Sequence, residues 1–406
     1  MGYRRRGRTI GLAATIVVLA AAGAATARAT APATPADRYP TIGGGYVPTD
    51  ADERGLWMQL DVLEREMQTS DFLVRDPALN GYVRGVLCRT VGQAACASLR
   101  LYIVRHADFN ASMAPNGMVT VNTGALLRLR SEAQLAAVLG HEFTHFARRH
   151  TLQRVRDTRK KAGVMASLST IPAAGYGSAL AVRLLRLITI GSLYGFSREM
   201  EREADAGSIP LMAAAGYDPA VAAPICQALT SEEGAAAAAR RRKAKPRTDT
   251  FYATHPSPPE RIAALTALAR PYAGRSFASD GAAAYRAAMR AWWPQLIDDQ
   301  IKLNDFGGSD WLLHELAVDG WTPALLYARG ELYRARGRPA DLTQAASFYR
   351  AALAGDAPVE AWRGLGLVTL RGGDAAAGRR ALRTYLARKP DASDRAMIAM
   401  LAAEPP

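Results

Sequence analysis

The segment from Ser131 to His150, SEAQLAAVLGHEFTHFARRH, constrains this chain more than any other, because it joins a helix signature to two histidines spaced four apart. Ser131 offers an N-cap with Gln134 three residues later, and the apolar positions that follow repeat at helical spacing, which predicts an amphipathic helix. Four residues of helix turn only about 40° beyond one revolution. The imidazoles of His141 and His145 therefore converge on one point, and Glu142 stands beside it. Zinc suits this set, since it accepts imidazole nitrogen and carboxylate oxygen in a tetrahedral site and keeps one position for water.

The bare H-E-x-x-H pattern also arises by chance in long helical chains, so a second element has to support it. SREMEREAD supplies one: Glu201, Glu203 and Asp205 lie on another predicted helix, which can bring a third, carboxylate ligand. His150 competes for that role. The longer motif that would use such a histidine needs Gly and His where Arg148 and Thr151 stand, and five residues beyond His145 a continuing helix turns His150 away from the metal face. His150 is then a helix-surface histidine or one that supports a ligand from behind.

Other segments set the organisation. Residues 1–27 carry Arg4, Arg5, Arg6 and Arg8, an apolar run and small residues near Ala27, the pattern of a cleaved signal peptide and hence of export. Residues 28–49 are rich in Pro, Ala, Thr and Gly and read as a linker. A helix follows from about Asp50 with Leu56, Leu60, Leu63 and Met67 on one face. Leu99 to Arg105 alternates as a strand, and NASMAPNGMVTVNTGALL reads as two extended arms about a turn at Pro115, Asn116 and Gly117. The apolar stretch Ala162 to Phe196 holds Pro172, Gly175, Gly177, Arg183 and Arg186, which favours helices over a cleft or at a membrane surface against a membrane span. Gly234 to Thr250 is Ala-rich and basic, a solvated loop or a charged helix end.

The chain carries a formal net charge of +14, and removal of residues 1–27 takes away four arginines and no acid. A basic surface of this kind is drawn to anionic lipid. Nothing in the sequence resembles a nucleic-acid module. Cys88 and Cys96 are close enough for a local disulfide and equally readable as two buried thiols, with Cys226 left over. Near the C-terminus, Trp362, Leu365, Gly366 and Pro390 stand at tetratricopeptide spacing, with Gly378 where a small Ala is usual, and the preceding YARGELYRARGRPADLTQAASFYRAAL has the same helix, turn, helix layout.

With these motifs in order, NASMAPNG, HEFTH, EREAD, AAAGYDP and THPSPPERI, the chain resembles the M48 family of zinc metallopeptidases, in its soluble, exported branch, from about Tyr46 to Leu268. The resemblance implies a fold that is mainly α with a small β-sheet: a zincin-type gluzincin metallopeptidase domain (50–272), a helical connector (273–320) and a tetratricopeptide-like helical tail (321–406). It makes His141, His145 and Glu201 the ligands of one zinc ion per chain, Glu142 the catalytic base, and Asp205 the carboxylate that fixes a ligand histidine. His255, in the HPSP segment, is expected to fill the open metal position at rest, to stabilise an oxyanion, or simply to cap the helix after Pro259. Asn110, Ala111, Ser112 and Met113, with Val119 to Val121, offer an edge to which a substrate strand can add. The implied substrates are unfolded or misassembled proteins of the envelope, the implied location is the periplasm, with contact to a membrane surface, and the tail would dock on outer-membrane assembly machinery. A competing reading is an envelope chaperone or assembly factor with a closed or vestigial zinc site, binding through the tail.

Overall fold

Helix starts along the chain are written in short polar residues that cap the first turn. Asp50 accepts from the Glu53 amide at 2.9 Å and opens α1 (Ala51–Gln68), which buries Leu56, Leu60 and Met67 and leaves Leu63 half-buried. Asp76 does the same for α2 (Pro77–Val91), accepting from Leu79 at 2.7 Å. The single turn α3 (Gln93–Cys96) follows, and Cys88 and Cys96 form a disulfide in which the buried Cys226 takes no part. These features come from a computed structural model that describes residues 46–161, 195–241, 255 and 258–403. Residues 1–27, expected to be a signal peptide, residues 28–45 of the expected linker, the apolar stretch 162–194 and the basic residues 242–250 lie outside the described residues.

The small sheet has three strands, β1 (Arg100–Val104), β2 (Ala111–Met113) and β3 (Met118–Asn122), in the order β1-β3-β2. β2 and β3 form an antiparallel hairpin, Ala111 opposite Val121 and Met113 opposite Val119, whose turn closes with the Gly117 amide on the Ala114 carbonyl. β1 pairs parallel to β3, Arg100 opposite Met118. The strands at the edges are therefore β1, bridged at its Val104 end by Leu73, and β2, while β3 is paired on both sides.

Helices α4 (Thr123–Arg128) and α5 (Glu132–Ala147) follow directly. Ser131 accepts from the Gln134 amide at 3.2 Å, and Gln134 accepts in turn from the Arg130 amide at 2.8 Å. Every residue of α5 from Ala133 to Phe146 is buried save for the first turn, so it is the central helix of the molecule and not one with a wet face. α6 (His150–Lys161), α7 (Arg198–Ala214), α8 (Ala222–Ala239) and α9 (Pro258–Ala269) complete the surroundings of the site. The Ala-rich stretch from Gly234 is thus the end of α8, the charged-helix-end alternative of the sequence reading.

Beyond α9, the helices α10 (Ala282–Met289), α11 (Trp293–Lys302) and α12 (Phe306–Leu316) share the same core. The Tyr285 hydroxyl donates to the Leu126 carbonyl at 2.6 Å, and Arg128 bridges Glu232 on α8 and Gln300 on α11. One cluster of buried side chains runs without a break from Val74 to Leu332, the last of these on α13 (Pro323–Arg336). α14 (Pro339–Leu353), α15 (Glu360–Arg371), α16 (Ala375–Arg388) and α17 (Arg395–Ala402) continue as successive packed helices. Gly378 has a physical reason: a Cβ there would lie 2.6 Å from Leu370 Cγ and 3.0 Å from the Gly366 carbonyl, so α15 and α16 close only over a bare backbone. Among the described residues, no helix is long and apolar enough to cross a membrane.

Candidate metal centre

Two helices bring the ligand candidates together. α5 carries His141, Glu142 and His145, and α7, capped by Ser197 accepting from Met200 at 3.2 Å, carries Glu201 and Asp205. They cross closely because α7 presents Gly207 to Thr144: a Cβ at that position would stand 2.5 Å from Thr144 Cγ2. Close backbone approach of this kind sets the distance between the two sets of side chains.

Donor atoms of His141, His145, Glu201 and His255 all lie within 4.8 Å of one another, and all four residues are buried. His141 Nε2 is 3.0 Å from His145 Nε2 and 3.2 Å from His255 Nδ1. His255 Nδ1 is 2.8 Å from Glu201 Oε1, and His145 Nε2 is 3.4 Å from the same oxygen. Burial pushes His141 and His145 below the ordinary histidine value, so both are neutral and present lone pairs. Burial alone would raise Glu201, but His255, His145 and His141 outweigh it and hold the carboxylate far below its usual range. Neutral ring nitrogens facing each other and an ionised carboxylate form a set of inward lone pairs, with room for few protons between them. A cation of nitrogen and oxygen preference fits that set.

Glu142 is placed differently. Its Oε1 is buried and finds no hydrogen-bond partner among the described residues; His255 Nε2 is 3.6 Å away. Burial, opposed by His255, pushes its carboxyl up to about 7. It is beside the donor cluster and not one of its members.

Behind the cluster, Asp205 Oδ1 stands 3.0 Å from His141 Nδ1. Arg261 clamps that carboxylate with two nitrogens, at 3.0 and 2.6 Å, and reaches within 3.5 Å of Glu201. Burial raises Asp205, but His141 and Arg261 outweigh it and hold it down to about 2. Sequence reasoning quoted Arg261 inside THPSPPERI and gave it no role; a buried arginine six residues past a histidine is visible only when folded. His255 is 2 % exposed and sits inside the cluster, while its neighbours 251–254 and 256–257 lie outside the described residues.

His150 does not point away. The premise of a continuing helix fails, because α5 ends at Ala147 and Arg149 adopts a left-handed φ of 58° before α6 begins. That reversal returns His150 to His145, with the two Nδ1 atoms 2.8 Å apart, and Glu203 lies on its far side at 3.2 Å. Phe196 stacks on the His145 ring at 3.8 Å. Asn110, Ala111, Ser112 and Met113 lie along and just before β2, with Ala111 and Met113 buried and Ser112 bonded to Thr120 at 2.7 Å. Val119 to Val121 belong to the central strand, whose backbone is paired on both sides, so an added strand would meet an outer strand such as β2 and not β3.

The sequence model of peptidase family M48 matches residues 77–269. The chain is 32% identical to the mitochondrial metalloendopeptidase OMA1 of Schizosaccharomyces pombe over 184 residues, which cover 45% of the chain and 50% of that relative. It is 26% identical to a putative beta-barrel assembly-enhancing protease of Vibrio cholerae over 219 residues, 52% of the chain and 43% of the relative. Against the beta-barrel assembly-enhancing protease of Escherichia coli K12 the identity is 25% over 217 residues, again 52% and 43%. The chain thus spans half or less of the length of these relatives. The match takes in the helices α5 and α7 and Arg261, and over residues 77–269 the chain is similar to peptidase family M48.

Proposed function

We propose that the chain is a zinc-dependent endopeptidase of the cell envelope, acting in the periplasm on unfolded or misassembled proteins. The observation that carries the reading is the buried convergence of His141, His145 and Glu201, with the unpartnered Oε1 of Glu142 beside it. Those three residues would hold a single zinc ion, which would supply Lewis-acid chemistry toward a carbonyl and a water. Glu142 takes the proton of the attacking water and hands it to the leaving amine. Asp205 keeps the proton of His141 on Nδ1, so that Nε2 faces inward, and Arg261 keeps Asp205 ionised. An extended substrate adds to the free edge of β2, which reads backbone more than side chain and so suits unfolded chains. The names of the bacterial relatives support a role near outer-membrane protein assembly. The tetratricopeptide-like tail is then the docking element for that machinery, and the basic surface provides contact with the membrane.

The test uses purified protein on unfolded casein. Wild type cleaves, chelator stops it, and Glu142→Gln abolishes turnover while keeping about one zinc per chain, since the base lies outside the ligand set. Normal turnover by Glu142→Gln would overturn the assignment of the base. One observation favours a second reading: His255 already sits among the donors, 2.8 Å from Glu201, as in a centre that rests closed. A chain that binds zinc, prevents casein aggregation and never cleaves would support the assembly-factor reading instead.

A further inference from the structure

We propose that His150 is a positioning residue for His145: with Glu203 it forms a carboxylate–imidazole–imidazole relay that fixes which nitrogen of His145 faces the metal position. The proposal rests on the reading of His145 as a metal ligand. His141 has Asp205 at its outer nitrogen, 3.0 Å away, and the corresponding place behind His145 is taken by His150.

Proton placement makes the argument. The two Nδ1 atoms are 2.8 Å apart, which holds one proton and no more. His150 Nε2 lies 3.2 Å from the Glu203 carboxylate, which only accepts, so Nε2 carries the proton of His150 and its Nδ1 is a bare acceptor. His145 must then carry its own proton on Nδ1 and donate it to His150. Its Nε2 is left as a lone pair directed at His141 and Glu201, the tautomer a metal requires. The opposite tautomer of His145 would set two lone pairs face to face at that distance. The fold is bent to make this contact: Arg149 takes a left-handed backbone, which a non-glycine residue rarely adopts, and is held there by Glu53 at 2.6 Å and by the Tyr46 ring 4.4 Å away. His150 is 1 % exposed, and the stacked Phe196 restricts rotation of the His145 ring, so the relay has no solvent to exchange with on its inner side.

The test uses the full chain and three variants. His150→Gln keeps an acceptor for His145, His150→Leu fills the space without one, and Glu203→Leu removes the outer acceptor at a partly exposed position. Zinc dissociation constants come from competition with a chromophoric chelator, the visible spectrum of the cobalt-substituted protein reports ligand geometry, and thermal unfolding of the metal-free forms reports the fold. His150→Leu is expected to weaken zinc about 10- to 100-fold with a changed cobalt spectrum, and His150→Gln to recover most of that loss. Glu203→Leu should weaken zinc severalfold, because it acts through His150. Affinity within twofold of wild type for His150→Leu, with an unchanged spectrum, overturns the relay, as does a His150→Gln variant as weak as His150→Leu at equal metal-free stability. If His150→Leu fails to fold, Glu203→Leu decides, and unchanged zinc affinity there overturns it. A wild-type chain that binds no zinc overturns the metal-centre reading and the relay together, whereas zinc binding indifferent to His150 removes the relay alone.

Discussion

At the scale of single residues, charge balance explains why so many ionisable groups share one buried space. Glu142, Glu201 and Asp205 are carboxylates, Arg261 is the guanidinium that faces Glu201 and Asp205 among the described residues, and a divalent cation would bring the set close to neutrality. Arg261→Leu is therefore expected to leave Asp205 without its clamp and to weaken zinc about 10- to 100-fold, measured by chelator competition, with the metal-free fold checked by circular dichroism. His255 poses a sharper question. It lies 2.8 Å from Glu201 and 3.6 Å from Glu142, so it can hold the open position or meet a developing oxyanion. As a resting ligand, its replacement in His255→Ala raises basal casein cleavage. Loss of an oxyanion donor would instead lower turnover by about 2.7–4 kcal/mol of barrier, with zinc retained. We expect the rise, and the two outcomes have opposite signs.

Among elements, the crossing of α5 on α7 decides whether the ligands meet. Gly207 is the contact point, and a methyl group there has to displace Thr144, whose own hydroxyl donates to the Gly140 carbonyl at 2.8 Å. Gly207→Ala is expected to destabilise the fold by about 1–3 kcal/mol and to weaken zinc, read by thermal unfolding and chelator competition; wild-type values in both would mean that the helices yield without cost. In the tail, Asp341 anchors the start of α14. Its carboxylate accepts from the Arg338 amide at 3.1 Å and from Arg336 at 2.6 Å, and the Arg336 guanidinium, against the opposing effect of burial, holds it below the ordinary aspartate value. A lowered folded value means that the stabilisation is full above the ordinary aspartate value and is lost as pH falls through the lowered one. Asp341→Ala should thus cost about 1–2 kcal/mol near neutrality and progressively less in acid, measured by denaturant unfolding at several pH values.

Across the whole molecule, the core shows where the chain can be divided. The continuous cluster takes in Tyr285, Leu296, Leu312 and, on α13, Leu325, Ala328 and Leu332, so the helices after residue 272 are packed into the same interior as the metal centre. A chain ending at residue 320 would expose that interior. It is expected to lose zinc and unfold at a much lower temperature, whereas a chain ending at residue 356 keeps about one zinc and loses less stability. Zinc per chain and thermal unfolding of both truncations check this; full zinc and stability in the shorter chain would mean that α13 is dispensable to the core.

What the sequence determined by itself is what depends on local periodicity and on short motifs. The helix from Ser131, the hairpin about Gly117 and the pairing of His141 with His145 follow from spacing, because i, i+4 geometry and turn chemistry are settled within a few residues. Even the polar caps at Asp50 and Ser131 are local facts. The tertiary structure alone decided what lies between distant segments: that β1 joins the hairpin in parallel on β3, that Arg261 clamps Asp205, and that a left-handed residue at Arg149 turns His150 back on His145. A one-residue reversal leaves no trace in hydrophobic period, and a buried arginine or histidine acquires its meaning from partners 50 or more residues away, Glu203 and Asp205 on α7. Only packing in the interior, where each polar group must find a partner, fixes those choices.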